Sequence, residues 1–305
     1  MDDERGREAT AGRWQVAAAF GVVYVVWGST YLAIRFAIET LPPFLMAGGR
    51  FLVAGGLMAL WAWRRKAARS TPRQVRAAVV VGLLLLLGGN GGVVWAEQHI
   101  DSGLAALLVA TVPLWVVGLE SVLRWRRRPG LPLLAGIGGG LLGIGLLVGP
   151  AELAGAQRVD VLGAGALVLA SLLWSAGSLY ASRARLPPSP RRATAWEMLA
   201  GGAGLTVLGV ATGELGRLDP AAVSTTSLLA VLYLIVFGSL LAFSAYVWLL
   251  RVVPTSKVAT YAYVNPVVAL LLGWAMAGEE LTARTLLAAA VILASVVLIV
   301  TYRER

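Results

Sequence analysis

The chain has 305 residues, 58% of them hydrophobic and only 14% charged, with a mean hydropathy of +0.76. A soluble chain carries about a quarter charged residues, so these values exclude a soluble fold and indicate a polytopic membrane protein. The net charge of +10 is split among loops, which argues against nucleic-acid binding. There is no cysteine for disulfide or thiol chemistry, and one histidine, His99, is too few for a His-based metal cluster.

Met1 to Arg13 holds four acids (Asp2, Asp3, Glu4 and Glu8) against three arginines. The apolar run that follows is too long for an h-region, so a signal peptide is not expected. Ten candidate spans come next, near 14–38, 43–63, 75–96, 102–123, 131–149, 160–182, 193–214, 225–250, 256–277 and 282–301. About 20 apolar residues cross a hydrocarbon core of roughly 30 Å. No stretch between the spans is long enough to fold as a soluble domain.

Loop charge gives the orientation. Of the 26 Lys and Arg, 21 fall in the two tails and in alternate loops, whereas the other side holds only Arg158, Arg217 and Arg284. The positive-inside rule then predicts both termini in the cytoplasm and loop 150–159 outside. Five spans precede residue 150 and five follow it. At an offset of 147, Trp27, Ala37, Pro43 and Leu52 align with Trp174, Ala184, Pro190 and Leu199; at 153, Trp95 and Pro113 align with Trp248 and Pro266. The expected fold is all-α, ten transmembrane helices in two five-helix repeats, 1–150 and 151–305. Five is odd, so the second repeat enters the membrane inverted, which is a transporter architecture.

The spans differ in what they offer chemistry. In span 1, Trp27 and Tyr31 are four apart near mid-depth, and Trp174 and Ser178 are their counterparts in span 6. A Trp at that depth is either packed core or cavity wall. Arg50 and Glu197 occupy equivalent places in spans 2 and 7, and intramembrane charges are costly and usually functional. Arg50 suits an anionic group such as a carboxylate and Glu197 a proton or gate; snorkelling or a structural ion pair is the alternative for each. Asn90 sits between Gly88-Gly89 and Gly91-Gly92, read as a cavity wall with open volume, since Trp95 follows on the same helix; close packing with Asn90 bonding across helices is the alternative. Arg35, Glu39, Glu97 and Asp101 mark the outer ends of spans 1 to 4, as a solvated rim or an outer latch. Glu120 and Arg124, four apart, read as a helix-surface pair. The glycine-rich span 5 and the aliphatic span 10 read as structural.

Span 9 is the most informative stretch. Pro266 has no N–H, so the carbonyl of Ala262 loses its helical partner. Tyr261 and Asn265 share a face beside that carbonyl. Pro113 marks a weaker copy in span 4. Paired proline interruptions in two halves point to a transporter's binding and gating site; a proline kink packed against neighbouring helices is the alternative. Catalysis finds little support: there is no His-Glu-x-x-His, no intramembrane aspartate pair, and no histidine base at membrane depth. No enzyme and no cofactor are expected.

At Trp27-Gly28-Ser29-Thr30-Tyr31, at Gly238-Ser239 through Tyr246 to Trp248, and at Asn265-Pro266 followed by Gly278-Glu279-Glu280-Leu281-Thr282, the chain resembles the EamA-type ten-helix branch of the drug/metabolite transporter superfamily. The resemblance spans about 14–301. It implies a central cavity lined by spans 1, 3, 4, 6, 8 and 9, peripheral spans 5 and 10, and a place for Tyr246 at the site. It also implies secondary export of amino acids, related metabolites or drugs across the bacterial inner membrane. The chain departs from the pattern after span 4, where Arg126-Arg127-Arg128-Pro129-Gly130 replaces Gly-Glu. The expected function is a secondary transporter of small metabolites, working by alternating access in the lipid bilayer, with protons as a candidate coupling ion, as monomer or homodimer. A channel or facilitative pore is the alternative.

Overall fold

The computed structural model describes residues 12–99, 102–124, 130–148, 161–277 and 283–301. Among these residues there is no β-strand, and the helices fall into ten spans. They are α1 (Arg13–Ile38), α2 (Pro43–Arg64), α3 (Pro72–Ala96), α4 (Ser102–Val109 and Val112–Arg124), α5 (Leu131–Val148), α6 (Val161–Arg183), α7 (Pro190–Ala211), α8 (Thr225–Val252), α9 (Thr255–Val258 and Tyr261–Ala277) and α10 (Ala283–Thr301). The Gly278–Thr282 motif, Asp101, the arginines 126–128 and loop 150–159 lie outside the described residues. Six helices among those described, α1, α2, α3, α6, α8 and α9, are long and apolar enough to cross a membrane. α4 is broken, and α7 carries Arg191, Arg192 and Glu197. The chain is a multi-pass membrane protein.

Local chemistry explains where the helices begin. Pro43 and Pro190 each open their helix at the first turn, where the missing N–H has no helical partner to lose. Thr71 and Gln74 cap α3 reciprocally, and Ser224 accepts from the Ser227 amide at the start of α8.

Packing follows a two-fold plan. α2 packs on α7 and α5 on α10, the two most extensive pairings. α1 lies against α8 and α9, and α6 lies in the mirrored way against α3 and α4. Each pairing maps onto another, or onto itself, when the five-helix units are exchanged. α3 and α8 share a further device: π-helical stretches at Leu83–Asn90 and Leu234–Phe243. Such wide turns are uncommon and concentrate at functional sites.

Glycines set the close contacts. A Cβ on Gly82 would stand 2.1 Å from the Glu197 carbonyl oxygen, so α3 meets the backbone of α7. In α5, Gly139 and Gly143 face Ser295 and Ile292 of α10, which agrees with the structural reading of those two spans. The four glycines around Asn90 serve close packing, the second of the two readings, although Gly89 also borders the cavity described below. A Cβ on Gly88, Gly89, Gly91 or Gly92 would meet Leu173, Trp174, Leu205 or Ala170 at 2.6 to 2.8 Å, so they admit α6 and α7.

α4 and α9 are both interrupted, but at different points. In α4 the gap at Ala110–Thr111 lies just before Pro113. In α9 it lies at Ala259–Thr260, well upstream of Pro266, which sits inside the longer piece. There the backbone tightens, with amides of Thr260, Ala262 and Tyr263 donating three residues back. The sequence places the interruption at Pro266; the structure places the main break earlier.

Candidate substrate cavity

A cavity of about 70 Å³ lies where α1, α2, α3, α4, α6, α8 and α9 meet. Pockets for drug-sized ligands run to roughly 300–1,000 Å³, so in this conformation the space suits only a small group. Seven of the residues singled out in the sequence line it: Trp27, Tyr31, Arg50, Asn90, Trp174, Tyr261 and Asn265.

One end of the cavity is aromatic. The Trp27 ring makes edge contacts with Trp174 and Tyr261, with centroids 5.4 and 5.0 Å apart, and a tilted contact with Tyr246 at 4.9 Å. Tyr246 closes the group against Trp174 and Tyr261. Each such pair contributes about 0.5–1.5 kcal/mol beyond area burial. Hydrogen bonds hold the orientation. Trp27 Nε1 donates to the Gly238 carbonyl in the π-helical stretch of α8 at 3.2 Å. Trp174 Nε1 donates to the Tyr246 hydroxyl at 2.9 Å, and that hydroxyl also meets Ser178. Tyr246 therefore stands behind the wall and fixes Trp174. The Asn265 amide donates to the carbonyls of Tyr24 and Tyr261, each at 3.1 Å, and the Tyr24 hydroxyl pairs with Thr260 at 2.7 Å. These bonds tie α9 to α1 across the break in α9.

The other end is charged. Arg50 is 5% exposed; its Nε donates to Ser239 Oγ of α8 at 2.9 Å, and its guanidinium lies 4.3 Å from the Phe51 ring centroid. Glu97, read as rim, is buried at the end of α3 within electrostatic reach of Arg35 and Arg50. The helix-end position hid this, because a carboxylate there looks solvated in sequence.

Other candidates sit elsewhere. Trp95 does not line the cavity; it packs beside Val93 and stacks on His99 at 4.8 Å. Glu197 is fully buried between α7 and its neighbours, away from the cavity, and Arg251 is the charge that acts on it. Pro113 and Pro266 lie in α4 and α9 without lining it. Glu120 pairs with Arg183 of α6 at 3.6 Å, and the Arg124 side chain is outside those described. Val93, Val109 and Phe243 line the cavity without being singled out in the sequence, because one more apolar residue in an apolar helix carries no distinguishing signal.

Comparison with known proteins supplies the family. A model of the EamA-like transporter family matches twice, at residues 14–149 and 161–301. YedA of Escherichia coli (strain K12), described as an inner membrane transporter, is 40% identical over 289 residues, covering 93% of this chain and 91% of that protein. The transporter YoaV of Bacillus subtilis is 24% identical over 91% of this chain and 94% of its own. A WAT1-related chloroplastic protein of Arabidopsis thaliana is 24% identical over 96% of this chain and 70% of its own. A solved crystal structure superposes with a TM-score of 0.75 over 94% of this chain and 97% of that one, at 20% identity, and speaks to the fold alone. With both halves matched and a 40%-identical relative over nearly its whole length, the chain belongs to the EamA-like transporter family.

Proposed function

We propose that the protein is a secondary transporter that exports small organic solutes across the inner membrane by alternating access, with the mid-membrane cavity as its site. The observation that carries this is the convergence of side chains from seven helices, drawn from both halves of the chain, on one small cavity. The units 1–150 and 151–305 are the moving parts. The ties between α1 and α9 and between α6 and α8 are the contacts that exchange when access switches sides. On the positive-inside orientation both termini are cytoplasmic, Arg50 and Tyr31 lie towards the outside, and Tyr246 and Thr260 lie towards the cytoplasm.

Within this reading Trp27, Tyr31, Asn90, Trp174, Tyr261 and Asn265 contact solute, Tyr246 positions Trp174, and Pro113 and Pro266 serve the moving helices. Glu197 beside Arg251 is the candidate coupling group, with protons as the ion.

The test is counterflow in proteoliposomes with a panel of amino acids, hydroxy acids, sugars and cationic drugs. Saturable uptake accelerated by internal solute is expected. Flux that neither saturates nor responds to internal solute would identify a channel. Single-cysteine labelling checks orientation without background, since the chain has no native cysteine; opposite locations for residues 12 and 301 would sink the ten-span topology.

A further inference from the structure

Two residues on the cavity wall each carry a buried polar atom that lacks a protein hydrogen-bond partner among the described residues. One atom is Arg50 Nη1, a charged donor; the other is Asn90 Oδ1, an acceptor. Arg50 is more than nine-tenths buried, and Ser239 on its Nε and Phe51 beneath its plane fix where the free nitrogen points. Glu97 does not satisfy it: neither Glu97 oxygen makes a hydrogen bond within the described residues. Leaving a charged donor unpaired inside the protein is expensive. Such a group is retained where a ligand completes it. A guanidinium matches the planar fork of a carboxylate.

We propose that the cavity selects a small carboxylate whose neighbouring hydroxyl or ammonium group donates to Asn90 Oδ1. The carboxylate sits on Arg50, and the short carbon skeleton packs on the faces of Trp27, Trp174 and Tyr261. This rests on the transport reading, since it names the solute of the same site. Neutral sugars leave Arg50 Nη1 without an anionic hydrogen-bond acceptor. Cations are drawn to aromatic faces, but here they meet the guanidinium in the same small space. The volume of about 70 Å³ favours a skeleton of a few carbons in this conformation.

Binding to purified protein in nanodiscs, read by tryptophan fluorescence at constant ionic strength, tests this with four probes: lactate, alanine, propionate and lactamide. Lactate or alanine should bind saturably, and whichever binds better identifies the donor group. Propionate, which lacks that donor, should bind roughly 3- to 30-fold more weakly than the better of the two. Lactamide, which lacks the charge, should bind roughly 10- to 150-fold more weakly than lactate. Asn90→Ala should bring the better-binding of lactate and alanine down to the level of propionate and leave propionate unchanged. Arg50→Gln should bring lactate down to lactamide. If Arg50→Gln does not fold, Ser239→Ala serves: it frees the guanidinium and should weaken the acids while sparing lactamide.

Equal binding of lactamide and lactate to the wild type overturns the proposal. So does an unchanged ratio of the better-binding of lactate and alanine to propionate in Asn90→Ala, or no saturable binding by any of the three acids. The measurement needs no gradient, so the two readings fail separately. Acid binding without flux in proteoliposomes sinks transport and leaves this site standing. Flux of sugars or cations without acid binding sinks this site and leaves transport standing.

Discussion

Arg50 and Glu197 occupy equivalent positions in the two repeats, on helices that pack against each other, and both are buried. Their surroundings differ. Arg50 is held by Ser239 and lines the cavity, whereas both Glu197 oxygens lack a hydrogen-bond partner among the described residues and Glu197 does not line that cavity. The same contrast runs through α3 and α8. Each has a π-helical stretch, yet α3 supplies the polar Asn90 to the cavity while α8 supplies Gly238 and Phe243. Duplication has kept the backbone devices, and the side chains have diverged around them. The result is a two-fold frame with a charged end and an aromatic end.

The largest expected effect tests the shared frame. Gly82→Leu should prevent folding, because its Cβ would lie 2.1 Å from the Glu197 carbonyl oxygen, a backbone atom with nowhere to go. The penalty should exceed the about 1–3 kcal/mol of ordinary overpacking. Gly49, on α2 one residue before Arg50, has no neighbouring atom within 4 Å of where a Cβ would stand, so Gly49→Leu should stay within about 0.5 kcal/mol. Monodisperse yield and Tm in detergent check both.

Next comes the divergence itself. Arg50→Ala should weaken binding of a carboxylate roughly 10- to 150-fold, the cost of a charge-assisted hydrogen bond. Glu197→Gln should leave that affinity within about twofold, since its side chain does not reach the cavity. Equal losses in both variants would mean that the two halves contribute equally to the site.

Much of this was legible because polar and aromatic residues in hydrocarbon are conspicuous. Trp27, Asn90, Trp174, Tyr261, Asn265 and Arg50 interrupt apolar runs, and all line the cavity. Long apolar runs between turn signals marked the ten spans. What stayed hidden depends on tertiary placement. The stretch Leu83–Asn90 reads as any apolar helix, and nothing in it announces a π turn. Five residues make about one turn there, but the π stretch ends at Asn90; beyond it Trp95 falls roughly 140° around an α-helix and turns away. The Ser239 bond to Arg50 joins residues 189 apart, beyond any local pattern. Glycine identity alone does not tell open space from close packing; that depends on Trp174 and Leu173 across the interface.

A smaller effect is expected at the aromatic end. Asn265→Ala removes hydrogen bonds to the Tyr24 and Tyr261 carbonyls. Interhelical bonds in membranes are worth about 0.6–2 kcal/mol. The protein should fold, with apparent affinity roughly 3- to 30-fold weaker. Pro266→Ala restores a helical bond to Ala262 but leaves the break at Ala259–Thr260, so it should slow turnover more than it weakens binding. Wild-type affinity and rate in Asn265→Ala would return this stretch to packed core.

The smallest effect should be at Val291 in α10. This helix packs chiefly on α5, through contacts such as Gly143 against Ile292, and contributes nothing to the cavity lining. Val291 is half-buried, and its one noted polar role is backbone, its carbonyl accepting from Ser295 Oγ at 2.8 Å. Val291→Ala keeps that carbonyl. It removes two methyl carbons from a surface that lipid contacts almost as well as protein, so hydrophobic transfer is nearly neutral there. Stability should fall by less than about 1 kcal/mol, below the range for a fully buried core position. Affinity and turnover in proteoliposomes should match the wild type at equal protein level. A clear loss of turnover with normal stability would make the α5–α10 pair part of the moving machinery rather than its periphery.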